Sequence, residues 1–175
     1  MYREREVNIK KIALLSMVIV GVFFIGCGKK SNSNIKKVVV GEKIKAFTLK
    51  TQHDKPMSIG DKTKMIIFVF AKGSGHTVKQ FLDKQLADYL SKRDIVFVAD
   101  VSPMPSLIRK YLAMPDLRSR KYPIMLIYDE KFAEKFKNDE KSDDIMIVYL
   151  DNLTVKKIKY IKTAEELKKI IESIK

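Results

Sequence analysis

Met65-Ile66-Ile67-Phe68-Val69-Phe70-Ala71, followed at once by Lys72-Gly73-Ser74-Gly75-His76-Thr77, is the stretch whose reading decides the fold. An unbroken apolar run of this kind is more than a half-buried strand needs. It predicts a central strand covered on both faces. The small polar sequel leads into a helical pattern over His76 to Arg93, with Val78, Phe81, Leu82, Leu86, Tyr89 and Leu90 on one stripe. Ile95 to Val101 then repeats the buried-strand signature. Strand, helix and strand in that order predict a parallel crossover and an α/β fold.

The same alternation extends in both directions. Upstream, Lys45 to Leu49 reads as a strand, and Gln52 to Asp61 as a polar turn region with Pro56 and Gly60. Downstream, Pro103 and Pro105 stop the second buried strand and start a helix. Leu107, Ile108, Tyr111 and Leu112 are its expected inner face, and Pro115 its expected end. Pro123 opens a strand over Ile124 to Tyr128. Glu130 to Lys137 reads as a short helix with Phe132, Ala133 and Phe136 inward, and Asn138 to Asp144 as a charged loop. Ile145 to Leu150 and Val155 to Ile161 form an expected hairpin around Asp151-Asn152-Leu153-Thr154. The last helix begins at a capping box, Thr163-x-x-Glu166, and buries Leu167, Ile170, Ile171 and Ile174. The predicted order is β-β-α-β-α-β-α-β-β-α.

The N-terminal segment has a different character. Arg3, Arg5, Lys10 and Lys11 precede an uncharged run from Ile12 to Gly26. Its length of about fifteen residues suits a signal peptide. As a helix it would reach roughly 22 Å, short of the ~30 Å hydrocarbon core. The run closes on Cys27, the single cysteine of the chain. The alternative is an uncleaved signal anchor with a buried, inert Cys27. Gly28 to Asn34 is small and polar, a tether that cannot pack.

With 35 Lys and Arg against 21 Asp and Glu, the chain carries a formal charge of +14. General solvation and attraction to anionic headgroups both account for such a charge. Nucleic acid does not fit: the lysines are scattered, no Arg-rich arm or aromatic-basic motif occurs, and the export signal points elsewhere. A single thiol also excludes a disulfide scaffold.

Several motifs carry family resemblance. Phe24-Ile25-Gly26-Cys27 resembles the lipobox of bacterial lipoproteins, with Phe24 in place of the usual leucine. That resemblance implies lipid (palmitate) attachment at Cys27. Val40-Gly41-Glu42-Lys43-Ile44-Lys45-Ala46-Phe47-Thr48-Leu49 resembles the opening of redoxins, with Lys45 where proline is usual. Met65 to Ala71 is similar to the strand that precedes their active-site cysteines. Tyr122 to Asp129 with Lys131 to Phe136 resembles their inserted strand and helix, and Ile145 to Lys157 their terminal hairpin. Residues 38 to 174 therefore resemble the thioredoxin fold in its redoxin and peroxiredoxin elaboration. A thiol-free exported form is similar to the YtfJ-type proteins. Where the thioredoxin pattern has Cys-x-x-Cys opening the first long helix, this chain has Gly75-His76-Thr77-Val78. Asp143-Asp144 stands where most of the superfamily has a cis-proline.

Little chemistry is left by these departures. Disulfide exchange and peroxide reduction both require a thiolate. Lys72, Gly73, Ser74, Gly75, His76 and Thr77 are expected to form a strand-to-helix turn. Such a turn can offer amide N–H groups to an anion or a peptide. It is not a Walker A loop, and the plainer reading is a turn whose glycines supply dihedral freedom after loss of the cysteines. His53 and His76 lack the companions of a metal site. Ser74 and His76 are too close in sequence to form a hydrolytic pair readily. Asp100, Asp129 and Asp151, at strand ends, are expected to make turns. Met65, Met125 and Met146 are expected to fill core.

The expected organisation is a signal peptide over 1–26, a lipidated cysteine and tether over 27–37, and a thioredoxin-like domain over 38–175. The expected role is a lipid-anchored, non-redox module of the cell envelope that binds a protein or peptide, with the bilayer as its other partner. It would lie on the extracytoplasmic side, at the outer membrane in a two-membrane cell. No cofactor, metal or catalytic residue is called for. The alternatives are a redox accessory working through a partner's cysteines and a structural lipoprotein on an anionic membrane surface.

Overall fold

The computed structural model describes residues 35–174. The expected signal peptide, Cys27 and the tether up to Asn34 lie outside them. Seven strands form one sheet in the order β2-β1-β5-β4-β3-β6-β7. They are β1 (Thr48–Thr51), β2 (Pro56–Ser58), β3 (Met65–Val69), β4 (Ile95–Asp100), β5 (Met125–Ile127), β6 (Ile145–Asp151) and β7 (Thr154–Ile161). β3 pairs in parallel with β4, and β4 with β5. β6 runs antiparallel to β3 and to β7. The predicted order of parallel crossovers first and hairpin last holds. β2 is an addition inside the expected turn region, pairing antiparallel with β1 from Thr48–Ser58 to Lys50–Pro56.

Every residue of β3 and β4 is buried. The strand period of two divides their side chains between two cores. Met65, Ile67, Val69, Ile95, Phe97 and Ala99 face α1 (Lys72–Leu82), α3 (Met114–Arg118) and α5 (Ala164–Glu172). Ile66, Phe68, Val96 and Val98 face α4 (Glu130–Glu134) and the N-terminal residues Ile44 and Phe47. This double covering explains why the two strands read as unbroken apolar runs.

The hairpin turn shows how a core overrides local preference. Asn152 and Leu153 have φ of 47° and 64°. Two successive left-handed residues are what a tight hairpin demands. Asn accepts this readily, whereas for leucine it costs roughly 1–2 kcal/mol. Leu153 is held there because its side chain is buried in the α4-side core, and burial of a leucine is worth about 1.5–3 kcal/mol. Its carbonyl also accepts the Ile44 N–H at 2.9 Å. The capping box predicted for α5 forms as expected, with Thr163 and Glu166 exchanging side-chain and backbone hydrogen bonds.

Two helical expectations are corrected. The first helix begins at Lys72 and ends at Leu82, not His76 to Arg93. Leu86 is 72% exposed, and a separate 3₁₀ turn covers Ser91–Arg93. The helical segment after β4 also does not stop at Pro115. It runs through α2 (Ser106–Ile108), a π-helical stretch (Arg109–Ala113) and α3, with Pro115 in the first turn of α3, where its missing N–H costs nothing. Leu107, Ile108, Tyr111 and Leu112, expected inward, are 68%, 46%, 63% and 66% exposed. Met114 and Leu117 supply the buried contacts instead, with Met104 packed beside them.

Candidate functional site

The parallel strands place their ends together. Val69 lies beside Ala99, and Asp100 beside Ile127, so β3, β4 and β5 end on one edge of the sheet. β6 starts on the same edge, with Met146 paired to Phe68. α1 begins there, separated from β3 by Phe70 and Ala71. Ligand sites in α/β folds form at this edge.

The candidate residues Lys72 to Thr77 occupy the first turns of α1 rather than a turn before it. Ala71 is the N-cap in extended conformation, and no side chain caps the first turn. Gly75 N–H already donates to the Ala71 carbonyl at 3.0 Å. Neither Gly73 nor Gly75 adopts the left-handed region. The expectation that their dihedral freedom makes a turn is therefore incorrect, because helical geometry asks nothing special of them. A Cβ at Gly73 would meet nothing within 4 Å, and one at Gly75 would touch only Val69 Cγ2 at 3.7 Å. Lys72, Gly73 and His76 are at least partly exposed, and Ser74 is buried.

The hydroxyls of this turn are already engaged. Ser74 Oγ donates to the Ala71 carbonyl at 3.1 Å, and Thr77 Oγ1 to the Gly73 carbonyl at 3.3 Å. His76 Nε2 lies 2.9 Å from Gln80 Nε2, one helical turn on. Ser74 and His76 thus turn to different partners, and no nucleophile–base bond joins them. His53 is exposed on the β1–β2 connection.

The aspartates at the strand ends make turns, as expected. Asp100 Oδ1 accepts from the Ser102 N–H at 2.9 Å and its hydroxyl at 2.7 Å. Asp129 caps α4 by accepting from the Lys131 N–H at 2.9 Å. Asp151 Oδ1 accepts from Asn152 Nδ2 at 3.3 Å at the hairpin. Asp144, just before β6, lies 3.8 Å from Lys162.

Beside α1 sits a charged network that periodicity gave no hint of. Asp116 on α3 accepts from Lys79 on α1 and from Arg120. Arg120 reaches Asp83, just past the end of α1, at 2.5 Å, and the buried Tyr122 hydroxyl donates to the same carboxylate at 3.0 Å. Burial pushes the Asp116 carboxyl up, but the hydrogen bonds from Lys79 and Arg120 outweigh it and hold it below the usual carboxylate range. The network joins residues distant in sequence, and only the fold brings them together.

A cavity of about 400 Å³ opens away from α1, between Lys37–Val38, Phe136–Glu140 and Tyr160. The chain leads into it by backbone contact, with Val38 N–H donating to the Lys135 carbonyl at 2.8 Å. Among the described residues no helix is long and apolar enough to cross a membrane.

No protein-family model matches the sequence, and no curated protein matches it. Solved structures do match in shape. A candidate protein disulfide isomerase from Bacteroides thetaiotaomicron aligns with a TM-score of 0.52 at 18% identity, over 78% of this chain and 88% of that one. The peroxidoxin BcpB from Mycobacterium tuberculosis aligns with a TM-score of 0.51 at 16% identity, over 77% and 95%. A thiol:disulfide interchange protein from a Bacteroides species gives 0.50 at 12%, over 78% and 91%. At these identities the likeness is one of fold. The domain has a thioredoxin-like fold.

Proposed function

We propose that this chain is a lipid-anchored module of the cell envelope that binds a protein or an extended peptide at the α1 edge of its sheet, without thiol chemistry. The observation that carries this reading is a thioredoxin-like domain with no cysteine anywhere in it, since Cys27 is the only one in the chain. Disulfide exchange needs a thiolate to attack and a second to resolve. Lys72, Gly73 and His76 reach the surface where the fold's strand ends converge, and exposed glycine lets another backbone approach closely. First-turn amides without an acidic neighbour add a preference for carbonyl or carboxylate oxygen.

In-cell photocrosslinking tests the site. Gly73 is the position for the probe, because Ser74 is buried, and Lys168 on α5 is the exposed control. One dominant partner captured from Gly73 and not from Lys168 supports the reading. Equal capture from both, or none, overturns it. Anchoring is tested separately by labelling with a palmitate analogue, which Cys27→Ser should abolish.

A second reading is favoured by one observation, that the structures similar in shape bear disulfide and peroxide names. The domain would then serve a redox partner that supplies both cysteines. Deleting the protein should in that case shift the thiol state of another envelope protein. An unchanged thiol profile leaves the binding module.

A further inference from the structure

We propose that the uncovered face of the helical segment after β4, formed by Leu107, Ile108, Tyr111 and Leu112, is a docking surface for an anionic membrane. The four side chains follow the spacing i, i+1, i+4, i+5, which puts them on one side of a helix. All four are large, apolar and about half or more exposed. Isolated exposed leucines are ordinary, but a contiguous apolar stripe marks a surface that something covers.

This face is presented rigidly. Arg109 donates to the Val101 carbonyl at 3.2 Å and lies over the Tyr128 ring at 5.2 Å. Arg118 donates to the Gln52 carbonyl at 3.0 Å and to Asp54 at 2.8 Å. Asp116 and Arg120 tie the far end to α1. Met114 and Leu117 take the buried side, which leaves the stripe on the outside. The segment is thus held at several points while its apolar stripe is left open.

Charge and residue type select the occupant. From Pro103 to Pro115 the only charged residues are Arg109 and Lys110, both basic, in a chain of formal charge +14. Arg109 is turned to Val101 and Tyr128, which leaves Lys110 as the exposed cation, and a surface helix with leucine and isoleucine on one side and a lysine beside them suits the headgroup boundary of a bilayer, where it sinks about 5–10 Å. Tyrosine favours that boundary because one end is apolar and the other wet. Lys110 Nζ, 5.2 Å from the Tyr111 ring, can extend to phosphate while its methylenes stay on the apolar stripe. A protein partner would have to bring its own carboxylates to the same place, whereas an anionic leaflet supplies negative charge at every position.

The proposal rests on the membrane-anchored reading. The chain outside the described residues holds the apolar run Ile12 to Gly26 and leads directly into the domain. The roughly ten residues between Cys27 and Lys37 reach at most about 35 Å when extended, close to the diameter of a domain this size. By length alone, a lipid at Cys27 would hold the domain within reach of the bilayer.

The single cysteine makes the test clean. In a Cys27→Ser background of the full chain, Leu112→Cys carries an environment-sensitive fluorophore, and Lys168→Cys carries it as control. The chains are reconstituted into phosphatidylcholine vesicles with or without phosphatidylglycerol and a lipid-borne quencher. The expected result is quenching at position 112, only with phosphatidylglycerol, and none at 168. Lys110→Gln should lower the ratio of docked to undocked chain about fivefold. Leu107→Ser with Ile108→Ser should abolish docking, and both positions are exposed enough to leave the fold intact. A chain that binds vesicles while position 112 stays unquenched overturns the proposal and spares the anchoring reading. A chain that binds neither vesicle overturns the docking surface, while the anchor at Cys27, absent from this background, stands or falls with the palmitate-analogue labelling of the unsubstituted chain. Quenching that ignores phosphatidylglycerol overturns the anionic surface. Burial of the probe without lipid, growing with protein concentration, overturns the membrane and assigns the face to a second copy of the chain.

Discussion

The Tyr122 hydroxyl donates to the Asp83 carboxylate at 3.0 Å, and that bond fixes the approach to β5 to the end of α1. Tyr122 is otherwise sealed in the core, with 2% of its surface exposed. Asp83 in turn faces Arg120, which shares Asp116 with Lys79. Four ionic side chains and one phenol thereby hold the α2–α3 segment against α1. They set the relative position of the candidate binding edge and the open apolar face.

Burial, and then the hydrogen bond and charge of Asp83, raise the Tyr122 phenol well above its ordinary range. In the unfolded chain the same group ionises near pH 10. Its contribution to stability is therefore complete below about pH 10 and is lost as the pH climbs from there toward the folded value. Tyr122→Phe is expected to cost about 1 kcal/mol at neutral pH and to flatten the alkaline decline. Urea unfolding at neutral and alkaline pH measures both. An alkaline slope unchanged in Tyr122→Phe would contradict the assignment.

The corrected helix gives a sharp contrast between two leucines. Leu117 is buried and Leu112 is not. Leu117→Ala should cost about 2–5 kcal/mol, as core truncations do. Leu112→Ala should stay within about 0.5 kcal/mol. Equal losses at both positions would restore the inward face that periodicity suggested.

That contrast also marks what the sequence could convey. β3 and β4 were legible because an unbroken apolar run of strand length fits only where both faces of a sheet are covered. The turn at Asn152 and the capping box at Thr163 were legible because their chemistry is local. The stripe Leu107, Ile108, Tyr111 and Leu112 was legible as helical, but periodicity identifies an apolar side without saying what covers it. The π-helical stretch at Arg109–Ala113 moves the buried positions to Met114 and Leu117, and no local signal announces it. β2 escaped because three residues containing a proline carry no alternation. At the candidate site, the thiol-free composition was plain. The start of α1 at Lys72 was hidden, because glycine pairs read more readily as a turn than as a first helical turn.

Gly75 tests whether this turn is a relic or a working surface. Its backbone is helical, and an added methyl would make ordinary contact with Val69. Gly75→Ala is therefore expected to raise stability by up to about 1 kcal/mol, since glycine in a helix is the costlier residue. If the glycine lets a partner approach, the same substitution weakens crosslinking from Gly73. A stabilised variant with full capture would leave Gly75 without a binding role.

Recognition without redox chemistry is tested most directly by crosslinking from Gly73 in cells with and without a membrane-permeant reductant. The same single partner, in the same yield, is expected under both conditions, and none from Lys168. A partner held only under oxidising conditions and released by reductant would contradict it.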